Sequence, residues 1–259
     1  MQKPFIKRLA KRCGSVLLVA GTVFLWSFMP SLPAPLPYKN YLDSSFTHKP
    51  AAAVTLHRSF AEAKMDVYDS LRLEDAGLSR RAFEMALRGM SKLIKSYHIK
   101  ENILSIVDFS QSSLSKRLYV IDLENYALLF NTLVAHGSKT GKEMAQSFSN
   151  KNRSNKSSLG FYITGNTYMG NNGYSLKLQG VEKGINDFAF RRAIVLHGAD
   201  YVSADWAANH NQDYIGRSQG CPALPVEMSA EIINEVKDGT CLFIYHPTST
   251  YRAQSRLAK

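Results

Sequence analysis

Cysteine is scarce in this chain, three among 259 residues, tryptophan occurs twice, and no stretch of charge of one sign dominates. There is no glycine-rich phosphate loop, no dinucleotide fingerprint, no His-Glu-x-x-His and no paired Cys-x-x-Cys. Nucleotide-dependent chemistry of those types and the common zinc frameworks therefore lack sequence support. No Lys/Arg run interleaved with aromatics marks a nucleic-acid surface, and no internal repeat marks a solenoid. A hydrophobic content of 45% with 20% charged residues excludes a disordered chain and suits a globular one.

The longest apolar run is also modest. Residues 14–29 are uncharged and follow Lys3, Lys7, Arg8, Lys11 and Arg12, which is the layout of an export signal; 16 residues are short for a full membrane span. The Pro-rich stretch to Pro37 offers no clean small-x-small cleavage site, so the leader is either removed or kept as an anchor at the inner membrane. Without its five basic residues the net charge of +11 falls to +6, with 27 Lys and Arg against 21 Asp and Glu. A modest basic excess suits an acidic polymer or a membrane surface as partner.

Residues 38–58 read as a linker. From Ser59, Phe60, Lys64, Val67 and Leu71 follow helical spacing. Ser79 can cap a second helix carrying Phe83, Leu87, Met90, Leu93, Ile94 and Tyr97. Short β-rich runs follow at 103–109, 117–123 and 126–134, the last two expected to pair as a hairpin. A basic loop rich in serine and asparagine spans 137–158, long enough to be functional or mobile. Strand-like runs resume at 160–164, 174–178, 193–197 and 241–245, with one helix at 225–237. The expected fold is a mainly β domain of sandwich or barrel type with an N-terminal helical segment, α+β overall. Its expected divisions are 1–37 leader, 38–100 helical segment, 101–247 catalytic domain and 248–259 tail.

The chemistry concentrates between Ile194 and Leu224. An apolar run carries His197 to its end, followed by Gly198, and Gly216-Arg217-Ser218-Gln219-Gly220-Cys221-Pro222 closes the stretch. A cysteine at its free pKa of about 8.5 is a weak nucleophile at neutral pH and needs a cation, a helix N-terminus or a histidine. His197 can supply the base. Pro222 and Pro225 suit the first turn of a helix whose positive end would favour a thiolate. Gly220 lets successive N–H groups converge on a developing oxyanion, while Ser218 can orient the site and Arg217 adds charge. By itself a Gly-Cys-Pro turn is more often structural, and a histidine at a strand end is more often a hydrogen-bonded rim residue. Cys221 and Cys241 could pair in an oxidising compartment, but Cys241 reads as a core residue. A zinc site from His197, His210 and Cys221 has no recognised ligand spacing; no metal and no cofactor is implied.

Those residues, together with Val134-Ala135-His136-Gly137-Ser138, Ser147 to Asn150, Ser157 to Tyr162, Gly180 to Glu182 with Asn186-Asp187, and Arg191 to Ala199, resemble in order a divergent Gram-negative branch of the murein L,D-transpeptidases over roughly 103–246. The resemblance implies a periplasmic enzyme acting on peptidoglycan stem peptides through a cysteine acyl-enzyme. In it Cys221 is the nucleophile and His197 the general base. The Gly198 carbonyl orients His197, and the Gly220 and Cys221 N–H groups hold the oxyanion. Ser218 orients the site, and Arg217, Gln219, Asn186 and Tyr201 contact substrate. With water as acceptor the same acyl-enzyme makes an L,D-carboxypeptidase; without turnover the domain would be a peptidoglycan-binding relic. Two departures stand out. Gln219 replaces a second histidine and can donate a hydrogen bond without carrying a proton, and Tyr201 to Ile215 form an enlarged loop.

Overall fold

Ser79 opens the longest helix. Its side chain accepts the Ala82 N–H, and α3 runs Arg80–Ser96 with Phe83, Leu87, Met90 and Leu93 at most 1% exposed. Removing such side chains from water contributes about 1.5–3 kcal/mol each. Gly89 lies at the closest approach, because a Cβ there would come within 2.0 Å of the Phe161 ring, which itself stacks on Phe243 at 4.2 Å. Tyr97, expected on the apolar face, instead caps the helix and is 46% exposed. The preceding helix is interrupted into α1 (Phe60–Lys64), held by a Ser59/Glu62 capping box, and α2 (Asp66–Ser70). Met65 between them keeps helical dihedrals and accepts the Tyr68 N–H, so the interruption is in hydrogen bonding rather than direction.

These features belong to a computed structural model that describes residues 59–259; the chain divides into Met1–Val54 and Thr55–Lys259. The expected leader and the expected linker lie outside the described residues. Among the described residues no helix is long and apolar enough to cross a membrane.

Eight strands form one sheet: β1 (Ile103–Asp108), β2 (Leu118–Asp122), β3 (Ala127–Thr132), β4 (Gly160–Gly170), β5 (Gly173–Gly180), β6 (Val195–Gly198), β7 (Ala223–Leu224) and β8 (Cys241–Tyr245), in the order β3-β2-β1-β8-β4-β5-β6-β7. The hairpin β2–β3 is antiparallel, as its sequence requires. The central pairing β1–β8 is parallel and joins Leu104 to Cys241. Just beyond β3 at one edge, Ala135 bridges Ala223 in β7 at the other, its N–H donating to the Ala223 carbonyl at 2.9 Å. That bridge nearly closes the sheet into a barrel. The fold is thus mainly β with few helices.

Two of the expected segments pack onto the sheet. The helices from Phe60 to Ser96 share one core with it. The expected tail contains α6 (Ser249–Gln254) and is docked: Tyr251 is 3% exposed, and the buried Glu182 carboxylate accepts from the Tyr251 and Ser255 hydroxyls and the Phe161 N–H. Two of these three donors, Tyr251 and Ser255, belong to residues 249–255 and tie that segment to the buried carboxylate.

Candidate active site

β6 lies between β5 and β7, with His197 opposite Ser175 on one side and Ala223 on the other. Since Cys221 is two residues before Ala223, the sheet brings the histidine and cysteine to one place. Both line a cleft of about 570 Å³ with Tyr201, Arg217, Ser218 and Gln219. Six of the nine expected site residues therefore meet there.

His197 is buried, and its Nδ1 donates to the Gly198 carbonyl at 2.9 Å. A carbonyl can only accept, so the proton sits on Nδ1 and Nε2 keeps a lone pair. Burial holds the imidazole below its ordinary pKa. Cys221 is 9% exposed and unpaired, as is Cys241, so the disulfide considered from sequence does not form. The Cys221 sulfur accepts the Val195 N–H at 3.5 Å and donates to the Ala193 carbonyl at 3.7 Å. Burial raises its pKa, partly offset by the Val195 N–H and the nearby Arg192 guanidinium. Burial thus works against both the imidazolium and the thiolate.

Three expectations require correction. Helix α5 (Val226–Val236) starts only after β7, so Cys221 leads into a strand and not into a helix N-terminus; Pro222 precedes a strand pair and Pro225 caps the helix without a side-chain bond. The Gly220 N–H donates to Ser218 Oγ at 3.0 Å and is not free for an oxyanion, whereas the Cys221 N–H sits against its own sulfur. Asn186 is fully buried away from the cleft. Its amide donates to the Leu159 and Phe161 carbonyls at 3.0 and 2.9 Å and accepts the Glu182 N–H at 2.9 Å, so it braces β4 and does not line the cleft.

The remaining residues act as a frame. Ser218 Oγ also donates to the Cys221 carbonyl at 2.6 Å, closing the turn around Gly220, whose φ of 127° favours glycine and where a Cβ would come within 2.9 Å of the Lys156 carbonyl. Arg217 donates to the Ser138 and Gly141 carbonyls at 3.1 Å each and lies over the Tyr214 ring. Gln219 is exposed at the cleft mouth. Tyr201 is half-buried, and its phenol is pushed up to about 12 by burial and by the neighbouring Cys221 and Asp200.

Sequence reasoning missed Arg192. Its guanidinium donates to the Ser149 and Lys156 carbonyls at 2.8 and 2.6 Å and to the Ser158 and Ser154 hydroxyls at 2.6 and 3.3 Å. It thereby holds the long loop beside Cys221 and lets Asn152, Arg153 and Asn155 line the cleft. Its only sequence signal was its place in the run Arg191 to Ala199.

Beneath this frame lies a fully buried Arg117, which donates to the Val134 and Gln111 carbonyls and, at 2.9 Å, to His136 Nδ1. The His136 Nε2 donates to Gly141, and its backbone carbonyl accepts the Ser218 N–H. Burial, then the Arg117 charge, lower the His136 pKa from 6.5 to about 4. The unfolded chain therefore binds a proton here that the folded chain refuses. The stability His136 contributes is full above about 6.5 and lost as pH falls towards about 4, at about 1.4 kcal/mol per pH unit. His197 and His246 act in the same direction. Urea unfolding across this window should show a shallower slope for His136→Gln than for the wild type; equal slopes would refute the assignment.

A family model described as the L,D-transpeptidase catalytic domain matches residues 74–245. The chain belongs to this family. The match begins at the helical segment, in keeping with the shared core. Among solved structures, an L,D-transpeptidase from Stackebrandtia nassauensis is 16% identical, with 73% of this chain and 79% of that chain covered and a TM-score of 0.33. An L,D-transpeptidase from Mycobacterium smegmatis is 12% identical, with 56% and 59% covered and a TM-score of 0.34. The helical cell shape determining protein Pgp2 from Campylobacter jejuni is 14% identical, with 60% and 53% covered and a TM-score of 0.36. The L,D-transpeptidase-like chain thus spans less than two thirds of the length of the latter two. No curated protein sequence matches it.

Proposed function

We propose that the cleft is the acyl-transfer site of an extracytoplasmic peptidoglycan L,D-transpeptidase that works through a Cys221 thioester. The observation that carries this reading is the shared cleft of a buried free thiol and a histidine whose Nδ1 proton is fixed on Gly198. That tautomer leaves Nε2 to accept the thiol proton. The sulfur then attacks the carbonyl at the L-centre of diaminopimelate in a tetrapeptide stem. The C–N bond to terminal D-Ala breaks, and His197 returns the proton to the departing amine. An acceptor amine next attacks the thioester, loses its proton to His197 and frees the thiol. The Cys221 N–H serves the oxyanion. Arg153 and Arg217 line the cleft and give the stem's carboxylates cationic neighbours. Export by residues 1–37 places this chemistry where its substrate is.

Incubation of the purified protein with a disaccharide tetrapeptide, followed by mass spectrometry, tests the reading. A cross-linked dimer lacking one D-Ala supports transpeptidation. Tripeptide alone means that water is the acceptor. Neither product, from a folded protein whose Cys221 also takes up no carbapenem, would leave only a binding role.

A further inference from the structure

The enlarged loop from Tyr201 to Ile215 contributes only Tyr201 to the cleft described above, yet it builds a second one. Ser203 caps α4 (Ala204–Asn209), and this short helix carries Trp206 to the wall of a cavity of about 310 Å³. The Trp206 ring is held from behind by His210, with ring centroids 4.0 Å apart and planes 21° from parallel. His210 is itself tied to the helix through Nδ1 and the Trp206 carbonyl at 2.7 Å. Tyr214 forms another part of the wall and is steadied by the Arg217 guanidinium 5.0 Å over its ring. Two aromatic rings are thus fixed in orientation at one small cavity.

Polar groups complete the wall. Asp200 and Gln212 line the same cavity, and among the described residues neither side chain makes a hydrogen bond within the protein. Aromatic faces beside uncommitted acceptors and amide donors match a pyranose ring, which has an apolar C–H face and an edge of hydroxyl and acetamido groups. A charged peptide would instead call for paired cations, and this cavity is lined by one, Arg217. Position favours the same ligand. Tyr201 and Arg217 line both this cavity and the Cys221 cleft, so the two adjoin. In a stem peptide the sugar precedes the scissile carbonyl by three residues, about 10 Å of extended chain.

We infer that the loop 201–215 forms a saccharide subsite that holds the amino-sugar to which the donor stem peptide is attached. The inference rests on the proposed acyl transfer for its place in the reaction, but the binding itself can be measured without turnover. The only other tryptophan is Trp26, so the full-length Trp26→Phe protein reports on Trp206 alone. Titration with a β-1,4-linked N-acetylglucosamine tetramer should change its fluorescence saturably, and Gln212→Ala should weaken the apparent affinity by about tenfold. No change, or the same change with maltotetraose, overturns the subsite. Where turnover is present, kcat/KM for disaccharide tetrapeptide should exceed that for free tetrapeptide by about tenfold, and Trp206→Ala should bring the ratio to about one. A ratio that survives Trp206→Ala also overturns it. If neither peptide reacts, the acyl-transfer reading fails, while the fluorescence titration still decides the saccharide subsite.

Discussion

Cys221→Ala should fold and lose acyl transfer altogether, with turnover of tetrapeptide falling by roughly 10⁴-fold or more. The site has one thiol, and no hydroxyl in its place could act alike: Ser218 Oγ is committed to the Gly220 N–H and the Cys221 carbonyl. Folding should survive because the sulfur makes only long contacts, at 3.5 and 3.7 Å, and a small truncation at a 9% exposed position costs about 1–2 kcal/mol. Mass spectrometry reads the result twice, through loss of product and through loss of a carbapenem adduct on the intact protein. Turnover retained in Cys221→Ala would sink the thioester mechanism whatever else the cleft binds.

Arg192→Ala should lower kcat/KM by about 10²-fold and destabilise the protein by about 2–3 kcal/mol. The guanidinium carries four hydrogen bonds to Ser149, Ser154, Lys156 and Ser158, and its loss leaves the Lys156 carbonyl unpaired in a half-buried place, while the Ser149 carbonyl keeps the Ser158 hydroxyl. It also supplies the positive charge that opposes the effect of burial on the Cys221 thiol. Without it the thiol titrates higher, and the loop that brings Asn152, Arg153 and Asn155 to the cleft loosens. Arg192→Lys keeps the charge but not the planar fork, so it should recover the thiol more fully than the loop. The rate of iodoacetamide alkylation against pH separates the two effects: its midpoint should move up in Arg192→Ala and mostly return in Arg192→Lys. An unchanged midpoint in both would remove Arg192 from the thiol's environment.

Local signals in the chain were sufficient for several elements because neighbours in sequence settle them. Ser79 caps its helix through the Ala82 N–H three residues on, and β2 and β3 pair across a short turn. The candidate pair His197 and Cys221 was legible for a similar reason, a rigid apolar run ending in His-Gly and a glycine placed before a cysteine. The resemblance to the family rested on the same local runs.

Other features depend on contacts that no window of sequence contains. Nothing local distinguishes Asn186 as a buried brace from Asn186 as a ligand contact; only β4 passing beside it consumes its amide. Pro222 and Pro225 are as compatible with a helix start as with the strand pair His197/Ala223 that actually follows Cys221. The Gly220 N–H is lost to Ser218 because the turn tightens against Lys156, in a loop more than sixty residues earlier. Short-range chemistry therefore determined which residues this protein could use, the thiol, the imidazole and the strands that carry them. Tertiary structure decided how they are used. The parallel pairing of β1 with β8, the closing bridge of Ala135 to Ala223 and the Arg192 clasp each join segments far apart in the chain, and hydrogen-bond partners there are set by proximity in space, which residue order does not encode locally.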